Sequence, residues 1–202
     1  MVNEGSKNRE TTELQLLTAV DELVKEKGFE GLGINAIASK AGFSKMLIYR
    51  YFNSLEGLIA AYIQKHDYWI NFNEELPDKE HLGDFIKELF KKEIKALRED
   101  YTLRHLYRWE LTNNNKFVRE LREKREEKGL LLLNQLGNIN GYSQKEVAAI
   151  ATLISASISY LVLLEENCQV YNGIPLQEEK GWEQLQHGIN LMIDLCLLKD
   201  KK

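Results

Sequence analysis

The chain has 202 residues, 44% hydrophobic and 29% charged, with 27 bases against 31 acids for a net charge of −4. This is ordinary globular composition for one or two compact units with a real core, and only two prolines favour long uninterrupted helices. Catalytic signatures are missing: no phosphate-cradling glycine loop, no HExxH pair and no nucleophile elbow is present, and His66, His81, His105 and His187 fall on separate segments. Cys168 and Cys196 stand far apart in no metal or redox spacing, so a non-enzymatic protein without cofactor or metal is expected. Met1–Glu10 is polar with no apolar stretch behind it, which predicts a cytoplasmic protein.

In chain order, residues 1–9 read as a mobile polar tail. A first helix is predicted over Thr11–Lys27, with Leu16, Val20 and Leu23 on one line, Leu17 and Val24 beside it, and Gly28 as its stop. Ile34, Ile37, Ala38 and Ala41 make the i, i+3, i+4, i+7 stripe of a second helix, which Gly42 must end in a left-handed conformation. Ser44 is then placed to cap a third helix over Lys45–Phe52 with its hydroxyl. Two short helices joined by a three-residue, glycine-containing turn form a helix-turn-helix, whose second helix can enter a DNA major groove. Ile48 and Phe52, with Phe43 from the turn, should face inward, leaving Lys45, Met46, Leu47, Tyr49 and Arg50 toward DNA. The charge agrees. Gly31–Leu55 holds three bases, Lys40, Lys45 and Arg50, and no acid, while residues 1–66 hold eight of each and leave the whole −4 to the remainder.

The run A-G-F-S-K-M-L-I-Y-R-Y-F-N-S-L-E-G-L, Ala41–Leu58, resembles the signature of TetR-type transcriptional regulators, and the approach from Leu14 is similar to that family's first helix. The resemblance covers a little under a quarter of the chain. It implies that Ser44, Lys45, Tyr49 and Tyr51 contact mainly the DNA backbone and that positions 45–47 meet base edges. Simple core packing is the competing reading for Tyr49 and Tyr51. Met46 and Leu47 stand where small or hydroxylated residues are common; either they pack on thymine methyl groups or they pack on the protein and read nothing. Two further departures remove expected phosphate contacts: Gly33 replaces a capping threonine and Leu55 replaces a lysine.

Beyond the head, Ser54 should cap a helix running through Leu58, Ile59, Tyr62 and Ile63 toward Trp69, and Asn73–Lys79 is a break. Helices follow over Glu80–Glu99 and Tyr101–Leu111. Glu110 lies on the second one's apolar stripe, as a satisfied inner carboxylate or a ligand contact. After Asn114, Lys116–Lys128 alternates charges, with Glu120–Lys124 and Arg122–Glu126 at i, i+4, and reads as a solvated surface. A loop is expected over Gly137–Ser143, a helix over Gln144–Glu166, a last loop over Asn167–Leu176 and a final helix over Gln177–Lys199. Val147–Leu164 carries no charge and reaches the length of a membrane span. Its four hydroxyl residues, its lack of basic flanks and the small-residue line Ala148, Thr152, Ser155, Ala156 and Ser159 favour a buried interface helix instead.

The expected architecture is all-α: a helix-turn-helix DNA-binding domain over 10–54 and a helical ligand-binding and dimerisation domain over 55–202. The resemblance implies a homodimer through helices 144–166 and 177–199, with double-stranded DNA as partner and no membrane. It also implies a small-molecule effector, largely apolar, which spreads the heads and releases DNA, with repression as the commonest outcome. Tyr107, Trp109, Glu110 and Tyr160 are the candidate effector contacts. The alternative is a helical adaptor whose helix-turn-helix is structural.

Overall fold

The computed structural model describes residues 4–136 and 142–197. Over these the chain is helical save for one small hairpin, in the order α1 (Glu4–Lys27), a 3-10 turn (Phe29–Gly31), α2 (Ile34–Ala41), α3 (Lys45–Phe52), α4 (Leu55–His66), α5 (Tyr68–Asn71), α6 (Leu82–Glu99) and α7 (Tyr101–Thr112). It continues with α8 (Lys116–Leu136), α9 (Gln144–Glu165), β1 (Val170–Tyr171), β2 (Ile174–Pro175) and α10 (Glu179–Leu197). The all-α reading holds. Residues 137–141 of the expected Gly137–Ser143 loop, and the last two residues of the expected final helix, lie outside the described residues.

Two compact units form. One joins Met1–Asn71 with Tyr101–Glu123; the other joins Phe72–Asp100 with Lys124–Lys202. Compactness thus follows a different line from the division expected after residue 54, because α4 and α7 both pack on α1 in the first unit. Its core is the apolar side of α1 (Leu16, Val20, Leu23, Val24), closed by Ile37 of α2, Ile48 of α3, Leu58 and Ile59 of α4, and Leu103 and Leu106 of α7. Phe29, from the 3-10 turn, stacks on Trp109 at 5.1 Å between ring centres.

α1 starts at Glu4, seven residues before the expected Thr11, so residues 4–9 are helix rather than tail. Nothing in that stretch forbids helix except the modest cost of Gly5, and Arg9 gains a helical i, i+4 partner in Glu13 at 2.7 Å. α4 ends at His66 instead of reaching Trp69. The fully buried Asp67 takes extended backbone, and its carboxylate accepts the N–H of Ile70 at 2.9 Å. The Asn71 amide then donates to the carbonyls of Gln64 and Asp67, both at 2.8 Å, closing the orphan end of α4.

In the second unit α6 packs on both α9 and α10. Leu89, Phe90, Ile94 and Leu97 face Ile154, Ile158 and Val162 and the α10 residues Trp182, Ile189 and Ile193 in one buried layer. Ser143 and Glu146 form a capping box at the start of α9. The expected small-residue line is split by the packing. Ser155 turns inward and its hydroxyl donates to the buried Glu93 at 3.1 Å, whereas the exposed face of α9 is Ala149, Thr152, Leu153, Ala156, Ser157 and Tyr160. The expected Asn167–Leu176 loop contains the β1–β2 hairpin, turned by Asn172 (φ 49°) and Gly173 (φ 80°). Both central residues have positive φ, the type I′ geometry that Asn-Gly favours, and that dipeptide is its sequence signal.

Candidate nucleic-acid interface

The site is built by three local devices. Gly42, at φ 72° and ψ 23°, ends α2 in the left-handed conformation expected of it. Its N–H reaches the carbonyl of Ser39 at 3.3 Å and the N–H of Phe43 reaches Ala38 at 3.0 Å, the paired bonds of a Schellman motif. The chain therefore turns sharply into α3. Ser44 holds the extended N-cap backbone there, and its carbonyl accepts from Leu47 at 3.0 Å, but its hydroxyl makes no capping bond. Capping here is done by the main chain alone, which leaves the hydroxyl at the head of the helix for another acceptor or donor. At the far end Asn53 takes φ 66°, and the Ser54 hydroxyl accepts the N–H of Gly57 at 3.0 Å, starting α4 as expected.

Gly57 was not singled out by sequence reasoning. A Cβ on it would lie 1.9 Å from the carbonyl oxygen of Phe52, so only glycine lets α4 begin this close to the end of α3. The interior tie of α3 is Ile48, fully buried. Lys45, Met46, Tyr49 and Arg50, at i, i+1, i+4 and i+5, share its exposed face; Met46 is 74% and Tyr49 51% exposed. Leu47, expected toward DNA, lies outside that face with Tyr51 and Phe52, and all three are half-buried.

The charge of the head is arranged differently from its sequence count. Lys40 is spent on α1, bonded to Glu26 and 3.4 Å from Glu22. The hydrogen bond to Glu26 raises its pKa, with desolvation opposing, so it stays a firmly charged and firmly paired ammonium. Lys45 and Arg50 join no ion pair among the described residues. Arg9, assigned to the tail by sequence, stands 5.6 Å from the centre of the Tyr51 ring, and Arg50 stands 5.9 Å from the same ring. The net result is an exposed helix face with two cations outside any ion pair, Tyr49 and no acid on α3. Such a face offers phosphate oxygens their donors and leaves Met46 for an apolar contact in a groove.

The candidate effector residues are distributed over both units. Tyr107, Trp109 and Glu110 of α7 lie in the first, where Trp109 is committed to Phe29. The Glu110 carboxylate accepts from Arg122 Nε at 3.1 Å, and its carbonyl from Arg122 Nη2 at 2.8 Å. Arg122 therefore reaches back to α7 instead of pairing along α8 with Glu126, as its spacing suggested. Tyr160 lies in the second unit, 55% exposed and edge-on to Tyr171 at 6.1 Å.

Residues 16–62 match the family model described as bacterial regulatory proteins, tetR family. The chain is 38% identical over 52 residues to the HTH-type transcriptional activator FasR of Mycolicibacterium smegmatis, a match that spans 26% of this chain and only 24% of that relative. Its fold is similar to that of Salmonella enterica GusR, with a TM-score of 0.59 at 18% identity over 93% of this chain and 95% of the other. The family model and the α2–turn–α3 geometry fall on the same amino-terminal stretch, and residues 16–62 are a helix-turn-helix head of the TetR type.

Proposed function

We propose that the protein is a ligand-responsive repressor that binds a two-fold symmetric operator as a homodimer through α3. The observation that carries the DNA reading is the acid-free exposed face of α3, with Lys45 and Arg50 unpaired and Met46 and Tyr49 projecting. One eight-residue helix reads few base pairs, and a two-fold pair doubles the site and sets half-site spacing. Support for pairing comes from the second unit: α9 leaves Leu153 and Tyr160 exposed and α10 leaves Leu191, Met192 and Leu195 exposed. Apolar area held in water costs roughly 25 cal/mol per Å², which a second copy recovers. α9 is also long and apolar enough to cross a membrane. Its exposed Thr152 and Ser157, and its inward Ser155, suit a helix packed on protein.

Repression is the outcome the family resemblance favours, by occupancy of the operator. The FasR relative is named an activator, but the match spans only 24% of it, so the direction of its regulation does not carry over to this chain. An effector that favours the spread dimer over the DNA-bound one would release the operator; Tyr107, Trp109 and Glu110 of α7 are the residues we assign to it.

The second reading, a helical adaptor, draws on Met46, an apolar side chain left 74% exposed. A random-library DNA selection with purified protein separates the two. A regulator enriches a two-fold symmetric site and loses it when Lys45 and Arg50 are both replaced by alanine without loss of fold. An adaptor enriches nothing, before or after refolding to remove a bound effector. A promoter fusion carrying the enriched site then reports whether binding lowers or raises expression.

A further inference from the structure

We propose that Arg9 of α1 is an additional contact to the DNA backbone, held in place by the Tyr51 ring; this rests on the reading of α3 as the DNA-facing helix. The sequence counts Lys40 among the bases of the head, but Lys40 is consumed by Glu22 and Glu26. The extension of α1 back to Glu4 brings Arg9 to the recognition helix in its place. Its Nε is bonded to Glu13 at 2.7 Å and its side chain is 60% exposed, so both Nη groups remain on the open edge of the guanidinium. A guanidinium oriented this way presents paired donors in the geometry that phosphate oxygens accept.

The second observation is the Tyr51 ring itself. Two guanidinium groups, Arg9 and Arg50, lie within 6 Å of its centre. Cation–π attraction holds each to the ring, while their mutual repulsion is relieved by an anion between or beside them. Glu13 supplies one negative charge to Arg9 alone, and none reaches Arg50 among the described residues. A phosphodiester at the edge of Tyr51 completes this cluster. Tyr51 thereby acts as the platform that orients two phosphate-binding arginines, and Arg9 contributes grip without reading sequence.

The test is the salt dependence of binding to a random-sequence duplex, which needs no knowledge of the operator, for the full chain and for Arg9→Ala, Arg9→Lys and Lys45→Ala. Arg9→Ala is expected to make the slope of log K against log salt shallower by about 0.9 for each head bound. It should weaken the random duplex and the selected site by the same factor, while Arg9→Lys keeps most of the slope. An unchanged slope in Arg9→Ala, with a shallower one in Lys45→Ala, overturns the proposal and leaves the DNA reading intact. Absence of DNA binding by the unaltered protein overturns both. Circular dichroism of each variant guards the comparison, since a solvent-exposed arginine on a helix is replaceable without loss of fold.

Discussion

Tyr62→Phe removes one oxygen from a node that joins three helices. The Tyr62 hydroxyl of α4 donates to Asp21 of α1 at 2.8 Å and lies 3.1 Å from the hydroxyl of Thr102 of α7, which itself reaches Asp21 at 3.1 Å. Lys25 closes the other carboxylate oxygen at 2.6 Å. Burial pushes the Asp21 carboxyl up, but the bonds from Lys25, Tyr62 and Thr102 outweigh it and hold the carboxyl below its ordinary value of 3.8. Tyr62 is 1% exposed, so phenylalanine fills the same space and no cavity term arises. Thr102 keeps Asp21 as its acceptor, so no buried donor is orphaned. What is lost is one bond to a charged group, about 1.5–3 kcal/mol when buried; with a quarter of the Asp21 side chain exposed the lower end applies, about 1.5 kcal/mol. For a chain of this size that lowers Tm by about 3–6 °C at pH 7. A carboxyl depressed in the folded state stabilises above its unfolded pKa and loses that contribution as pH falls through the folded value. The gap between Tyr62→Phe and the unaltered protein should therefore narrow on acidification below about pH 5, as the pH falls through the depressed folded value. Thermal unfolding followed at several pH values measures it. A loss under about 0.5 kcal/mol at pH 7, or a gap indifferent to pH, would refute the argument.

Other outcomes rest on the same geometry. Gly57→Ala forces a methyl against the Phe52 carbonyl, and should cost about 1–3 kcal/mol in urea unfolding and weaken DNA binding, because the end of α3 must shift. Gly33 has extended backbone (φ −148°, ψ 149°) and open space where a Cβ would stand. Gly33→Thr should thus stabilise by about 0.5 kcal/mol through a better cap and a stiffer unfolded chain, and tighten binding to any duplex; unchanged affinity would show that position 33 does not reach a phosphate. Leu55→Lys should steepen the salt slope by about 0.9 per head, measured by fluorescence anisotropy. Leu153→Glu, which puts a charge on the exposed face of α9, should halve the mass seen by sedimentation and abolish binding to a two-fold site. A full-mass Leu153→Glu would place the subunit contact elsewhere.

The sequence alone was enough for several features whose cause is local, though not for the Ser44 hydroxyl, which makes no capping bond. The helical periods of α2 and α3, the left-handed Gly42 and the cap at Ser54 each depend on residues within one turn of one another, and all stand in the structure. The capping box at Ser143 and the Asn-Gly hairpin at Asn172–Gly173 are equally local, and both are legible in the sequence once those residues are weighed as pairs. Tertiary structure alone decided what each charge and each face meets. Lys40 looked free because its acids, Glu22 and Glu26, sit on another helix, fourteen or more residues away. Arg9 looked like tail because its partner ring, Tyr51, is brought to it only when α1 packs across the head. Ser155 belonged by spacing to a line of small residues, yet the packing of α6 turns it onto Glu93, and Tyr62, Asp21 and Thr102 meet across forty and eighty-one residues of chain. Periodicity tells which residues share a helix face; the partner that covers the face is set by chain closure, and no local pattern encodes it.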